Sequence, residues 1–210
     1  LSTKILPGAL PVLLNAMSPR RVLNAGVPDL RDTIILRGQL DALRRCQQQG
    51  TVILAPTHVS NLDSIVCGWA LYALGLPPYT YGAGLNLFSN PVLSFFMRNL
   101  GAYRVDRTKQ APLYKDALKE YATVTMERGQ SQLFFPGGTR SRSGELDSRL
   151  KLGLLSCGLR AYINNLAHQK ARPRIFIVPC TLNFHLVLEA STLIEDHLRL
   201  VGKSRYIITD

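Results

Sequence analysis

The 210-residue chain reads as α/β: a single domain with a central, mostly parallel mixed sheet flanked by helices. Three observations predict this. Short apolar runs of strand length alternate with longer segments of helical periodicity. The apolar run 51–55 is rich in strand-forming residues, with Thr51, Val52 and Ile53 β-branched, which suits a strand buried on both faces. Clusters of polar and charged residues follow the strand-like runs, where open α/β sheets carry their chemistry.

The elements follow in order. Residues 1–37 form an N-terminal apolar arm. Its opening, with Pro7 and Pro11, suits either a short helix lying on a membrane or a docked arm. The domain proper spans 38–210. Residues 37–49 form an amphipathic helix with Leu40, Leu43 and Cys46 inward and Gly50 as its C′ stop. The strand at 51–55 leads to an apolar helix, 64–75, ended by Gly75 and Pro77. A second strand is expected at 79–83, then a helix over 90–100 with Pro91 in its first turn. A short strand at 102–106 precedes an amphipathic helix, 111–128, that Gly129 stops. A strand at 131–135 runs into Pro136-Gly137-Gly138, and a helix covers 150–166. The run 174–184 contains Pro179, so it is a kinked strand or a sheet edge. A helix at 189–200 and a last strand at 205–209 complete the series. The chain opens on Leu1 and ends in strand-like sequence, so it reads as a segment of something longer.

Composition narrows the function. The chain is 46% hydrophobic, which excludes general disorder. Its formal net charge of +11 calls for an anionic partner: nucleic acid, an anionic membrane surface or a phosphorylated substrate. No helix-turn-helix, zinc-finger or aromatic RNA-binding signature is present, so no nucleic-acid partner is expected. Cys46, Cys67, Cys157 and Cys180 show neither Cys-x-x-Cys nor zinc spacing. They read as buried free thiols of a reducing compartment, with no metal site. No apolar run reaches the ~20 residues that a membrane-spanning helix needs.

Four stretches carry the chemistry. In Thr57-His58-Val59-Ser60-Asn61-Leu62-Asp63, His58 and Asp63 are five apart, roughly 140° around a helix, and cannot share a helical face. They meet only if His58 lies in the turn and Asp63 in the opening residues of the helix, with Ser60 or Asn61 as N-cap. The carboxylate would then hold one imidazole nitrogen and leave the other as a general base. The second stretch, 101–107, sets Arg104, Asp106 and Arg107 at a strand end. In the third, 134–144, Gly137 and Gly138 suit a backbone nest for an anion, followed by Thr139, Arg140, Ser141 and Arg142, donors that suit a phosphate. The fourth, 178–184, carries no ionisable group and alone is core strand.

Together these stretches resemble the four blocks of the glycerol-phosphate acyltransferase superfamily. That superfamily includes the glycerol-3-phosphate, dihydroxyacetone-phosphate and lysophosphatidic acid acyltransferases. The blocks fall at 58–63, 101–107, 135–141 and 178–184, and the resemblance covers roughly residues 38–200. It implies an acyltransferase domain and a reaction between two substrates, without a further cofactor. The donor would be an acyl thioester, acyl-CoA or acyl-ACP, and the acceptor a phosphorylated glycerol or lysophospholipid. It also implies catalysis by His58 and Asp63, and phosphate binding by Arg107, Arg140, Arg142 and Arg104. Gly137, Gly138 and Thr139 would form an oxyanion or phosphate nest. Lipid product and basic charge imply peripheral contact with the cytoplasmic face of a membrane, or an anchor in segments outside this chain. The run Thr139-Arg140-Ser141-Arg142-Ser143-Gly144, with Lys151-Leu152-Gly153 after it, looks closer to enzymes acylating glycerol 3-phosphate or dihydroxyacetone phosphate.

Two departures stand out. The family's paired arginines become Asp106-Arg107, so only Arg107 carries over and Arg104 is the expected substitute. The family's Pro-Glu-Gly becomes Pro136-Gly137-Gly138, which bears on the acceptor's identity. The rival reading is a non-catalytic anionic-lipid or phospholipid binding module on the same fold. Retention of His58 and Asp63 argues against it.

Overall fold

A computed structural model of the chain describes residues 34–60, 62–89, 91–99, 101–106, 108–138, 140–141, 150–185 and 190–200. Most of the N-terminal arm and the strand expected at 205–209 lie outside these residues. Helix α1, Leu40–Gln49, runs directly into strand β1, Gly50–Pro56. Then come α2, Asp63–Ala73, β2, Tyr81–Gly84, and a 3-10 turn, Leu85–Phe88. They are followed by α3, Pro91–Asn99, β3, Ala102–Val105, α4, Pro112–Glu127, and β4, Gln132–Leu133. The last described elements are α5, Ser156–Ala167, β5, Arg174–Cys180, and α6, Ala190–Leu200.

Every strand pairing among the described residues is parallel. Strands β4, β1 and β5 form one ladder and β2 and β3 another. A parallel bridge between Thr80 and Gln132 joins them into the order β3-β2-β4-β1-β5. β1 lies inside this sheet, and its residues divide by alternation. Val52 and Leu54 enter a cluster with Ile65, Cys67 and Leu71 of α2 and Met97 of α3. Ile53 enters a second cluster with Ala122 and Met126 of α4 and Cys157 and Ala161 of α5. The continuous apolar run is thus a strand covered by helices on both sides, as expected. Burying Ile53 alone contributes roughly 1.5–3 kcal/mol.

Three elements differ from the sequence expectation. Gly50 is not a left-handed helix stop: its φ is −177°, and it already pairs with Arg174 as the first residue of β1. A Cβ there would lie 2.2 Å from the Arg174 carbonyl oxygen, so glycine is required by the close approach of β5. β4 is shorter than 131–135. The Ser131 hydroxyl, rather than backbone, accepts from Val52 N at 2.9 Å, and Phe135 already opens the next turn. α5 starts at Ser156 rather than 150, because Lys151 N donates to Pro136 O at 2.8 Å and ties 150–151 to that turn. Pro179 sits on β5, at the edge of the described sheet, where proline is tolerated.

Candidate active site

The turns after β1, β3 and β4 open on one cleft of about 640 Å³. Its lining includes His58, Ser64, Phe135, Arg140 and Lys151, and also Tyr103, Asp106, Lys109 and Tyr114.

His58 and Asp63 meet as their spacing requires. The imidazole Nδ1 lies 2.7 Å from Asp63 Oδ2. The same oxygen accepts the peptide N–H groups of Val59 at 2.7 Å and Ser60 at 3.0 Å. Asp63 is the first residue of α2 and fully buried, whereas the His58 side chain keeps 18% of its surface. Three donors on one carboxylate oxygen fix the turn and the ring together. A carboxylate only accepts, so the shared proton belongs on Nδ1 and the neutral ring offers its Nε2 lone pair to the cleft. The N-cap position falls to Leu62, which has no side-chain cap; Ser60 instead accepts Leu62 N through Oγ at 3.1 Å. The Ser60 side chain therefore braces the turn before the helix. Asn61 lies outside the described residues.

Other blocks hold His58 from outside its own turn. Phe135 stacks on the imidazole, with ring centroids 4.2 Å apart and planes at 27°. Ser141 N donates to His58 O at 2.7 Å. Thr57 N donates to Cys180 O at 3.1 Å, and Leu182 N donates to Thr57 Oγ1 at 2.9 Å. The fourth block, without acidic or basic side chains, thus anchors the histidine turn through backbone.

The basic residues divide. Arg140 lines the cleft with His58. Arg104 does not. Alternation along β3 turns Tyr103 and Val105 to the cleft, and the Arg104 guanidinium lies over the Phe88 ring, 5.2 Å from its centroid. It therefore cannot substitute for the arginine missing at 106. Asp106 is at the cleft, its backbone N–H donating to the Tyr114 hydroxyl at 2.7 Å. The Thr108 hydroxyl, followed by its amide, holds the Asp106 carboxyl below the ordinary carboxylate range. Arg107, Arg142 and Thr139 lie outside the described residues. The glycine nest is altered too: Gly138 N donates to Phe135 O at 3.0 Å, so this amide closes a turn and does not face an anion. Gly138 has φ +73°, whereas Gly137 is not left-handed.

No disulfide joins the four cysteines. Cys67, one helical turn beyond Asp63, has its thiol pushed well up by burial, with smaller contributions from Cys180 and Asp63. A thiol held that way is not a nucleophile near neutral pH. Two contributors are not among the expected site residues, Phe135 and Lys151. Phe135 stands in the third block and reads as strand. Lys151 belongs to the run after that block that carries the resemblance, where no site role is expected of it.

The acyltransferase family model matches residues 39–183. The chain belongs to the acyltransferase family. Within it, the relatives place the chain in the glycerol-phosphate acyltransferase superfamily. It is 31% identical over 172 residues to a glycerol-3-phosphate acyltransferase of Pseudomonas fluorescens, covering 81% of this chain and 20% of the relative. To the glycerol-3-phosphate acyltransferase of Haemophilus influenzae it is 36% identical over 155 residues, 73% of this chain and 18% of the relative. The chain thus spans about a fifth of the length of the curated relatives it matches. Among solved structures it is similar to the 1-acyl-sn-glycerophosphate acyltransferase of Thermotoga maritima. That match has 17% identity and a TM-score of 0.41, and covers 95% of this chain and 96% of the other.

Proposed function

We propose that this domain transfers a fatty acyl group from an acyl thioester, carried on coenzyme A or acyl carrier protein, to a glycerol-phosphate-type acceptor. The product enters phospholipid biosynthesis. The observation that carries this reading is the His58–Asp63 pair, fixed at 2.7 Å in a cleft that Arg140 also lines. His58 Nε2 takes the proton of the acceptor hydroxyl as its oxygen attacks the thioester carbonyl. Asp63 holds the ring orientation and stabilises the imidazolium. The tetrahedral oxyanion collapses, the C–S bond breaks, and the departing thiolate takes the proton back from His58. No covalent enzyme intermediate is needed, in keeping with the unreactive thiol of Cys67.

Arg140 holds the acceptor phosphate, together with Arg107 and Arg142 of the same sequence blocks. The +11 charge favours peripheral contact with the anionic cytoplasmic face of a membrane. No helix among the described residues is long and apolar enough to cross one. The test is turnover: labelled acyl-CoA and acyl-ACP are each offered with glycerol 3-phosphate, dihydroxyacetone phosphate and lysophosphatidate. Transfer to at least one acceptor, abolished by His58→Ala, is expected. A folded protein that binds anionic lipid and transfers nothing would instead be the binding module.

A further inference from the structure

We infer that Lys151 is a binding residue for the acceptor's phosphate, sharing it with Arg140 across the turn that ends in Gly138. The inference rests on the acyl-transfer reading and adds a residue that the four blocks do not contain.

Three observations carry it. First, the lysine is anchored at the backbone, since its N–H donates to the carbonyl of Pro136 at 2.8 Å. Second, its side chain lies back over the glycine. A Cβ at position 138 would come within 2.5 Å of Lys151 Cδ, 3.0 Å of Cε and 3.0 Å of Nζ. Gly138 therefore serves two purposes, a left-handed turn and a bed for the lysine stem. An exposed lysine ordinarily spreads over many rotamers, whereas this one follows the turn whose next residues carry Arg140. Third, Lys151 lines the cleft with His58 and Arg140 while remaining solvent-exposed, as are Leu150 and Leu152 on either side, so its ammonium is accessible to an incoming anion. A compact ammonium suits a phosphate as a point charge, beside the planar fork of Arg140.

Kinetics with wild type, Lys151→Gln and Lys151→Arg test this. Lys151→Gln is expected to raise the acceptor KM roughly tenfold, with kcat and donor KM within about twofold of wild type. Lys151→Arg should recover most of the loss. Transfer to the uncharged analogue glycerol should be equally slow in wild type and Lys151→Gln. An unchanged acceptor KM, an equal rise in donor KM, or an equal loss with glycerol would each overturn the assignment.

Titration of inorganic phosphate into the wild-type protein and Lys151→Gln reads the same site without turnover. Binding roughly tenfold weaker in the variant supports the inference, and equal affinity overturns it. Wild type that binds phosphate through Lys151 yet acylates nothing would defeat the acyl-transfer reading and leave the phosphate site standing.

Discussion

The turns after β1 and β3 begin alike and end differently. Each follows a parallel strand and carries a carboxylate near a cationic or imidazole side chain. After β1, Asp63 is fully buried, binds three donors and faces a histidine held by residues of β5 and of the loops after β4 and β5. After β3, the exposed Asp106 carboxylate is satisfied by Thr108, two residues away, and Arg104 leaves for the other face of the sheet. One turn is cross-linked to distant parts of the chain; the other is closed locally. Preorganisation of this kind separates a site from a charged surface turn.

The sharpest way to break this contrast is His58→Ala. It should lower kcat by about 10²–10⁴ with little change in acceptor KM, measured at saturating donor. Next comes Arg140→Ala, which should weaken acceptor binding by about 10–150-fold, the worth of a charge-assisted hydrogen bond of roughly 1.5–3 kcal/mol. Donor KM should stay put, and an equal loss for both substrates would mean structural damage.

Gly137→Glu restores the family's residue at a position whose backbone is not left-handed. Several-fold lower KM for glycerol 3-phosphate, with a smaller change for lysophosphatidate, is expected, because apolar contacts supply more of the latter's binding. Unchanged preference would show that position 137 does not select the acceptor. Thr57→Val removes the hydroxyl that joins the histidine turn to Leu182. Denaturant unfolding should register a loss of about 1 kcal/mol, with a few-fold drop in kcat. At the far end, Arg104→Ala should leave kcat/KM within about twofold of wild type. A tenfold loss would return Arg104 to the site and dissolve the contrast between the two turns.

Much of this was legible in the sequence, for identifiable reasons. Continuous apolar character marked β1 as a strand covered on both faces, and that depends only on composition along a short run. The five-residue interval between His58 and Asp63 admitted one local geometry, and the turn adopts it. Arg104 was misplaced because alternation along a four-residue strand is set by its neighbours: Tyr103 and Val105 take the cleft side. Gly50 and Gly138 were misread in a related way. The first answers to β5, 124 residues later, and the second spends its amide on a turn and its missing side chain on Lys151. Phe135 was equally hidden, since stacking on an imidazole leaves no mark in a strand-like run.

The pairing of β1 with β5 also sets a timetable for synthesis. Thr57 and Leu182, the residues that latch the histidine turn, are 125 positions apart. At ~5–20 residues per second, a ribosome leaves roughly 6–25 s between them. During that interval Val52, Ile53 and Leu54 have been made but their β5 partners have not, and the edge that will receive β5 stays open. Such an edge is a template for pairing with other chains. A nascent domain of this topology is thus expected to keep that edge exposed, and its histidine turn unlatched, until Cys180 and Leu182 have emerged.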